Sequence, residues 1–306
     1  MKVHGISHPG TTRSHNEDAM TWDEELGFVA IADGMGGHQA GEVASNLALE
    51  AMLTFMRSSA GADAFVWPLG EDPGLSPAAN RLATAIRLGN RSVFKGAEAT
   101  PQYLGMGTTV VGLLVDGTRV TYAGVGDSRL YAFENGTLRQ LTTDDSWMVL
   151  LANEPGMTPE ILRHHPMRNV LTNVVGAKLE LAVEVLEADL PGVTLLLCSD
   201  GVHGALTDEM MAAILAGEPD LQKASQALVQ AAMDNGSTDN VTAVLVGIDA
   251  AMAATTRVEP AGADLLESPT AVFTLAQIEA AATASAESIV VEIDTVAGEA
   301  TDTPGE

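Results

Sequence analysis

The chain has 306 residues, 46% of them hydrophobic, and a formal net charge of −26 from 15 Lys and Arg against 41 Asp and Glu. Such a composition belongs to a folded globular protein, not a disordered or fibrous one, and the negative charge repels both a nucleic-acid backbone and an anionic membrane surface. No apolar run reaches the roughly 18 residues of a membrane span, the N-terminus MKVHGISHPG lacks the apolar core of a secretory signal, and the lone Cys198 has no internal disulfide partner, so the expected location is the cytoplasm.

In chain order, the first strand signal is Phe28 to Ala32, followed at once by Asp33-Gly34-Met35-Gly36-Gly37-His38. Apolar residues at helical spacing predict a helix over 40–56 and a second over 78–94, separated by a loop, 61–77, that carries Pro68, Pro73 and Pro77. Strands are predicted at 108–115, 119–125, 130–133, 183–186, 193–198 and 241–248, and helices at 207–214 and 221–233. Asp116-Gly117 and Asn135-Gly136 are hairpin signals, so strands there are antiparallel neighbours. Strand pairs in the middle with helices in blocks before and after predict α+β layers, not an alternating parallel sheet. From 250 to 306 the composition shifts to Ala, Thr and acids, with ten acids against one base, Arg257. That segment reads as a flexible, solvating tail, with 1–249 as the folded unit.

Three acids follow directly on apolar strand patterns: Asp33, Asp127 after VTYAGVG, and Asp200 after VTLLLCS. Asp239 stands just before the strand VTAVLVGI. Acids at strand ends sit on rigid elements, where carboxylates from distant parts of a chain can converge. Several carboxylates with no Cys pair and no His-x-x-x-His spacing suit a hard ion such as Mg²⁺ or Mn²⁺ and disfavour zinc. A nucleotide cradle is disfavoured too. The chain has neither G-x-G-x-x-G nor G-x-x-x-x-G-K-[ST]. A cysteine-based phosphatase is excluded because the position six residues after Cys198 is Gly204, where such chemistry needs an arginine.

Seven segments taken in order resemble one family, the metal-dependent serine/threonine phosphatases of the protein phosphatase 2C (PPM) type in their bacterial form. They are Arg13–Asp18 (RSHNED), Asp33–His38 (DGMGGH) with Gly41, Gly107–Thr109 (GTT), Gly126–Arg129 (GDSR), His165–Thr172 (HPMRNVLT), Cys198–Gly201 (CSDG) and Thr238–Thr242 (TDNVT). The resemblance implies a four-layer α-β-β-α sandwich, two antiparallel sheets flanked by helices, with two Mn²⁺ or Mg²⁺ ions per subunit. It implies that Asp33 bridges both ions and that the Gly34 carbonyl binds one. Asp200 and Asp239 would complete one ion's shell, Asp18 and Glu17 would act through water at the second, and Asp127 with Asp200 would hold a third, weaker ion. A water bridging the two ions would attack phosphorus in phosphoserine or phosphothreonine. The expected partners are phosphorylated proteins, among them a serine/threonine kinase and its targets; a monomer is the default. The alternative is a catalytically silent relative that binds phosphorylated partners or metal.

Arg13 is the candidate for gripping phosphate oxygens, since a guanidinium makes two parallel charge-assisted bonds. Its bland reading is a surface ion pair with Glu17. Eukaryotic relatives place a histidine after the Asp-Gly pair as proton donor to the leaving alkoxide, and this chain has Met35 there. His38 is the nearest replacement as catalytic acid, or else a residue that orients the loop. By resemblance 146–172 is a flap beside the site, with His164, His165 and Arg168 as substrate contacts.

Overall fold

The structure, a computed structural model, describes residues 1–37, 39–60, 66–152, 154, 156–158, 161, 165–167 and 170–249. The expectations for His38, His164, Arg168 and the 250–306 segment lie outside the described residues. In chain order the elements are β1 (Lys2–His8), β2 (Asp18–Asp23), β3 (Phe28–Met35), α1 (Ala40–Ser58), α2 (Pro77–Ala99), β4 (Gly107–Thr108), β5 (Val110–Asp116), β6 (Arg119–Val125), β7 (Arg129–Glu134), β8 (Thr137–Gln140), α3 (Trp147–Leu151), β9 (Val185–Asp189), β10 (Thr194–Cys198), α4 (Asp200–His203), α5 (Asp208–Gly217), α6 (Leu221–Asp234) and β11 (Val241–Gly247). One sheet runs β1-β11-β10-β7-β8 and the other β2-β3-β5-β6-β9, with β4 paired to β3 off that path. Every pairing is antiparallel.

The central strands are apolar at nearly every position because both their faces are buried. Val29 and Ile31 point between the sheets and meet Leu195, Leu197, Val244 and Val246 from the opposite one. Their neighbours Phe28, Ala30 and Ala32 point outward, where Leu47, Met52 and Phe55 of α1 and Leu82 and Ile86 of α2 cover them. On the far side Leu196, Cys198, Ala243 and Leu245 pack under Met211 and Leu215 of α5 and Leu228 and Val229 of α6. Three apolar layers between four layers of structure give the α-β-β-α sandwich, as expected. Helix starts follow local chemistry: Ser76 caps α2 with Pro77 behind it, Thr207 caps α5, and Asp220 caps α6.

The hairpin signals hold. Asn135 and Gly136 take φ of 52° and 78° between the paired residues Glu134 and Thr137, the doubly left-handed pattern of a type I′ turn. The apolar pattern of the sequence does not declare β1, β2 or β8. All three flank their sheets, where one edge faces solvent and polar residues dilute the apolar pattern. Strand β9 begins two residues later than the predicted 183–186 and runs on to Asp189. Among the described residues no helix is long and apolar enough to cross a membrane.

Candidate metal centre

The topology gathers acids from five segments at one end of the sandwich. Strands β2 and β3 pair with Asp18 directly opposite Asp33. Two like charges facing each other across a ladder are destabilising, so this pair is not there for the sheet's sake. In the other sheet, Asp127 lies in the turn before β7, Asp200 opens α4 just after β10, and Asp239 stands two residues before the start of β11. Cys198 is paired with Arg129 on one side and Ala243 on the other, which brings these three acids to the same margin.

Hydroxyl and amide side chains from neighbouring positions fix this arrangement. Asp18 is 7% exposed, and its Oδ2 accepts from Ser199 Oγ at 2.7 Å and Thr242 Oγ1 at 2.6 Å. Its Oδ1 is buried with no hydrogen-bond partner, and so is Oδ1 of Asp200. The backbone of Asp33 is clasped at both ends. Its N–H donates to Thr109 Oγ1 at 3.0 Å, and its carbonyl accepts from Thr108 Oγ1 and from the Thr109 N–H, each at 2.8 Å. Asn240 holds the incoming segment, accepting from the Glu17 N–H at 2.8 Å and donating to the carbonyls of Pro9 and His15 at 3.0 and 2.8 Å.

The glycines around Asp33 serve close approach. A Cβ on Gly34 would lie 1.9 Å from the Gly41 carbonyl oxygen, and one on Gly41 would lie 2.6 Å from Glu17 Cδ and 2.8 Å from the Gly34 carbonyl carbon. The first turn of α1 therefore seats against both Gly34 and Glu17, and no side chain larger than hydrogen fits between them.

The charges act on one another. Burial pushes Asp18 up to about 6 against the pull of its two hydroxyl bonds, with the charges of Asp200 and Asp239 adding to the rise. Asp33 is raised well above its ordinary value by burial and then by Asp18, Asp200, Asp127 and Asp239. Asp127 rises to about 7 through burial and the charge of Asp200, and Asp200 is raised by burial and Asp239. Glu17 is raised chiefly by burial.

Among the described residues no group of three or more such side chains is drawn tightly enough to hold an ion unaided. Mg²⁺ and Mn²⁺ do not require that. Mg²⁺ keeps several of its waters and takes one or two carboxylates, and carboxylate and water ligation suits both ions. The residues fit such an ion on three counts: all donors are oxygens, two buried carboxylate oxygens lack partners, and the acids depress one another's ionisation, which a cation would reverse.

Arg13 is placed differently from its bland reading. Its guanidinium lies 2.9 Å from Asp239 Oδ2, and both side chains are well exposed. His165 is engaged locally, its Nδ1 accepting from the Met167 N–H at 3.2 Å. The neck of the 146–172 segment closes through a bridge between Ser146 and Leu171. A cavity of about 410 Å³ beside that neck is lined by Tyr122, Thr142, Asp145, Asn173 and Glu184, and none of the candidate residues lines it. Sequence reasoning gave no role to Thr109, Ser199, Thr242 or Asn240. Their signal was a hydroxyl or amide side chain inside the same short motifs as the acids.

A family model described as Protein phosphatase 2C matches residues 5–246. Over 240 residues the chain is 34% identical to the serine/threonine protein phosphatase PstP of Mycobacterium tuberculosis, covering 78% of this chain but only 43% of that relative. It is 32% identical over 241 residues to the serine/threonine phosphatase stp of Listeria welshimeri, covering 78% of this chain and 92% of that protein. A solved structure of the catalytic domain of PstP in complex with two manganese ions superposes with a TM-score of 0.68 at 30% identity, covering 81% of this chain and 98% of that one.

Proposed function

Because the chain belongs to the protein phosphatase 2C family, we propose that it is a metal-dependent phosphatase that hydrolyses phosphoserine and phosphothreonine in proteins. The observation that carries this reading is the meeting of Asp18, Asp33, Asp127, Asp200 and Asp239, with buried oxygens of Asp18 and Asp200 left unpartnered. Two bound Mn²⁺ or Mg²⁺ ions would neutralise the phosphate dianion and acidify a water for in-line attack on phosphorus.

The chain's own residues have separate tasks in this scheme. Asp33, its backbone pinned by Thr108 and Thr109, would be the ligand shared by the two ions, with the Gly34 carbonyl beside it. Asp200 and Asp239 would hold one of the ions. Asp18, turned by Ser199 and Thr242 so that one oxygen stays free, would serve the other ion together with Glu17. Asp127 and Asp200 would share a third, weaker ion. Arg13, at the rim against Asp239, can exchange that carboxylate for phosphate oxygens and so hold the substrate. His38 is assigned to leaving-group protonation, and His164, His165 and Arg168 to contact with the protein substrate. Residues 1–249 form the catalytic unit and 250–306 an acidic tail. The partners are phosphoproteins, including a serine/threonine kinase and its targets, met by a monomer in the cytoplasm.

The test is phosphate release from a phosphothreonine peptide with and without Mn²⁺, by the parent, Asp33→Ala and Asp239→Ala. Mn²⁺-dependent turnover that both variants lose supports the reading. Metal-independent turnover, or variants as active as the parent, overturns it. Intact Mn²⁺ binding without turnover by the parent would instead identify a silent binding module.

A further inference from the structure

Helix α4 carries an unusual neighbour for its first residue. Asp200 and His203 are three apart on one turn, so their side chains lie on the same face. His203 does not point to solvent. Its Nε2 lies 2.9 Å from the backbone carbonyl oxygen of Asp127, an atom that can only accept, so Nε2 carries the proton and the imidazole donates.

The turn that bears Asp127 is fastened elsewhere on both sides. Before it, the Gly126 carbonyl accepts from the Asp145 N–H at 2.7 Å. After it, Ser128 Oγ meets Thr109 Oγ1 at 2.7 Å, and Arg129 makes a two-pronged bond to Asp144 at 2.9 and 2.8 Å. None of these bonds reaches α4. The His203 bond does, and it joins the backbone of Asp127 to the same helical turn as Asp200. It does so against a force, because the charge of Asp200 repels that of Asp127.

We propose that His203 is a positioning residue that holds the Asp127 turn at a fixed separation from Asp200, so that the two carboxylates form one weak cation site. The imidazole touches neither the ion nor the substrate. It supplies one directed bond that keeps two like charges adjacent until a cation arrives, which lowers the reorganisation that binding would otherwise require. The proposal rests on the reading that Asp127 and Asp200 share the third ion.

The experiment is a Mn²⁺ titration of the full chain by calorimetry and equilibrium dialysis, with Mn²⁺-dependent hydrolysis of p-nitrophenyl phosphate followed in parallel. Four proteins are compared: the parent, Asp127→Ala, His203→Leu and His203→Gln. The parent is expected to show tight binding followed by a weaker phase, which Asp127→Ala loses. His203→Leu should keep the tight phase and shift the weak one to roughly 5- to 10-fold higher Mn²⁺, the order expected for loss of one hydrogen bond. His203→Gln, whose amide nitrogen reaches about as far as Nε2, should return the weak phase to within about twofold of the parent. A weak phase in His203→Leu at the parent's concentration overturns the proposal. So does a Gln variant no better than Leu, which would mean that the ring acts by packing alone. Should the Leu variant melt early, the Gln variant decides. If the parent and Asp127→Ala titrate alike, the third-ion reading falls and takes this proposal with it. If only Asp127→Ala changes, the third ion stands and the role of His203 falls alone.

Discussion

Asn240 offers the sharpest test of how the site is assembled. Its side chain is 4% exposed and bonds three backbone groups of the 9–17 segment: the Glu17 N–H and the carbonyls of Pro9 and His15. That segment carries Arg13 and Glu17 and leads directly into Asp18 at the start of β2. In Asn240→Ala all three groups lose their partner at once. A net hydrogen bond contributes about 1 kcal/mol, and a buried group left unpaired costs about 1–3 kcal/mol. Because the 9–17 segment lies at the surface, water can reach part of it, and the lower figure applies to each bond, giving a loss of about 3 kcal/mol. For a domain of this size that corresponds to a fall in Tm of roughly 6–12 °C. The same loss frees Glu17 and Asp18 from their register, so Mn²⁺-dependent kcat/KM should fall at least about 10-fold, with half-activation shifted to higher Mn²⁺. Asn240→Asp keeps the acceptor for Glu17 N–H but loses both donors and adds a carboxylate beside Asp239, and its melting temperature should fall between parent and Ala variant. Urea denaturation, thermal melts and metal-dependent hydrolysis of p-nitrophenyl phosphate give the three numbers. An Ala variant with Tm within about 2 °C of the parent and unchanged Mn²⁺ dependence would show that the segment is held by something else.

Three further outcomes follow from the same geometry. Gly34→Ala should cost about 3 kcal/mol or more and abolish turnover, since its Cβ would lie 1.9 Å from the Gly41 carbonyl oxygen, whereas Gly37→Ala, with nothing within 4 Å, should stay within about 0.5 kcal/mol of the parent in urea melts. Mn²⁺ at about 100 times its Kd should raise the stability of the parent by about 2.7 kcal/mol and that of Asp33→Ala by much less, read as a metal-dependent shift in Tm. The third outcome concerns Asp23, whose carboxyl the Arg57 hydrogen bond holds below its ordinary value. A depressed carboxyl contributes stability above its unfolded pKa of about 3.9 and loses it as pH falls through the lower folded value. Arg57→Ala should therefore cost a few tenths of a kcal/mol near pH 7, discounted for the exposed guanidinium, and the gap to the parent should close below about pH 4.

What the sequence made legible, and what it hid, divides along sequence distance. Asp33, Asp127 and Asp200 stood out because each follows its own apolar strand, a pattern contained in fewer than ten or so residues. The layers were legible for a similar reason, since runs such as Phe28–Ala32 declare burial on both faces. The edge strands β1 and β2 were not, because half-exposed edges mix polar and apolar residues. Asp18 entered only through the family resemblance, because its pairing with Asp33 depends on a strand that the pattern did not reveal. Asn240 was the hardest. Its partners lie more than 220 residues away in the chain, and no local rule connects an amide before β11 to the carbonyls of Pro9 and His15.

The overall charge of −26 does not by itself explain the acid cluster. Surface carboxylates repel weakly through water and salt, and a chain can carry many of them at little cost. Asp18 and Asp33 are of another kind. They face each other across an antiparallel ladder, one of them nearly buried, in a position where opposite charges or two apolar groups would stabilise the sheet. Ser199, Thr242, Thr108 and Thr109 then fix that arrangement with hydroxyl bonds and do nothing to neutralise it. A fold that spends several directed bonds to hold like charges together breaks a local rule there, and such breaches are expected at functional sites. A divalent cation between them would add an attraction to each carboxylate that outweighs those repulsions. On the proposed reading, the same contacts that weaken the metal-free protein would supply its affinity for metal.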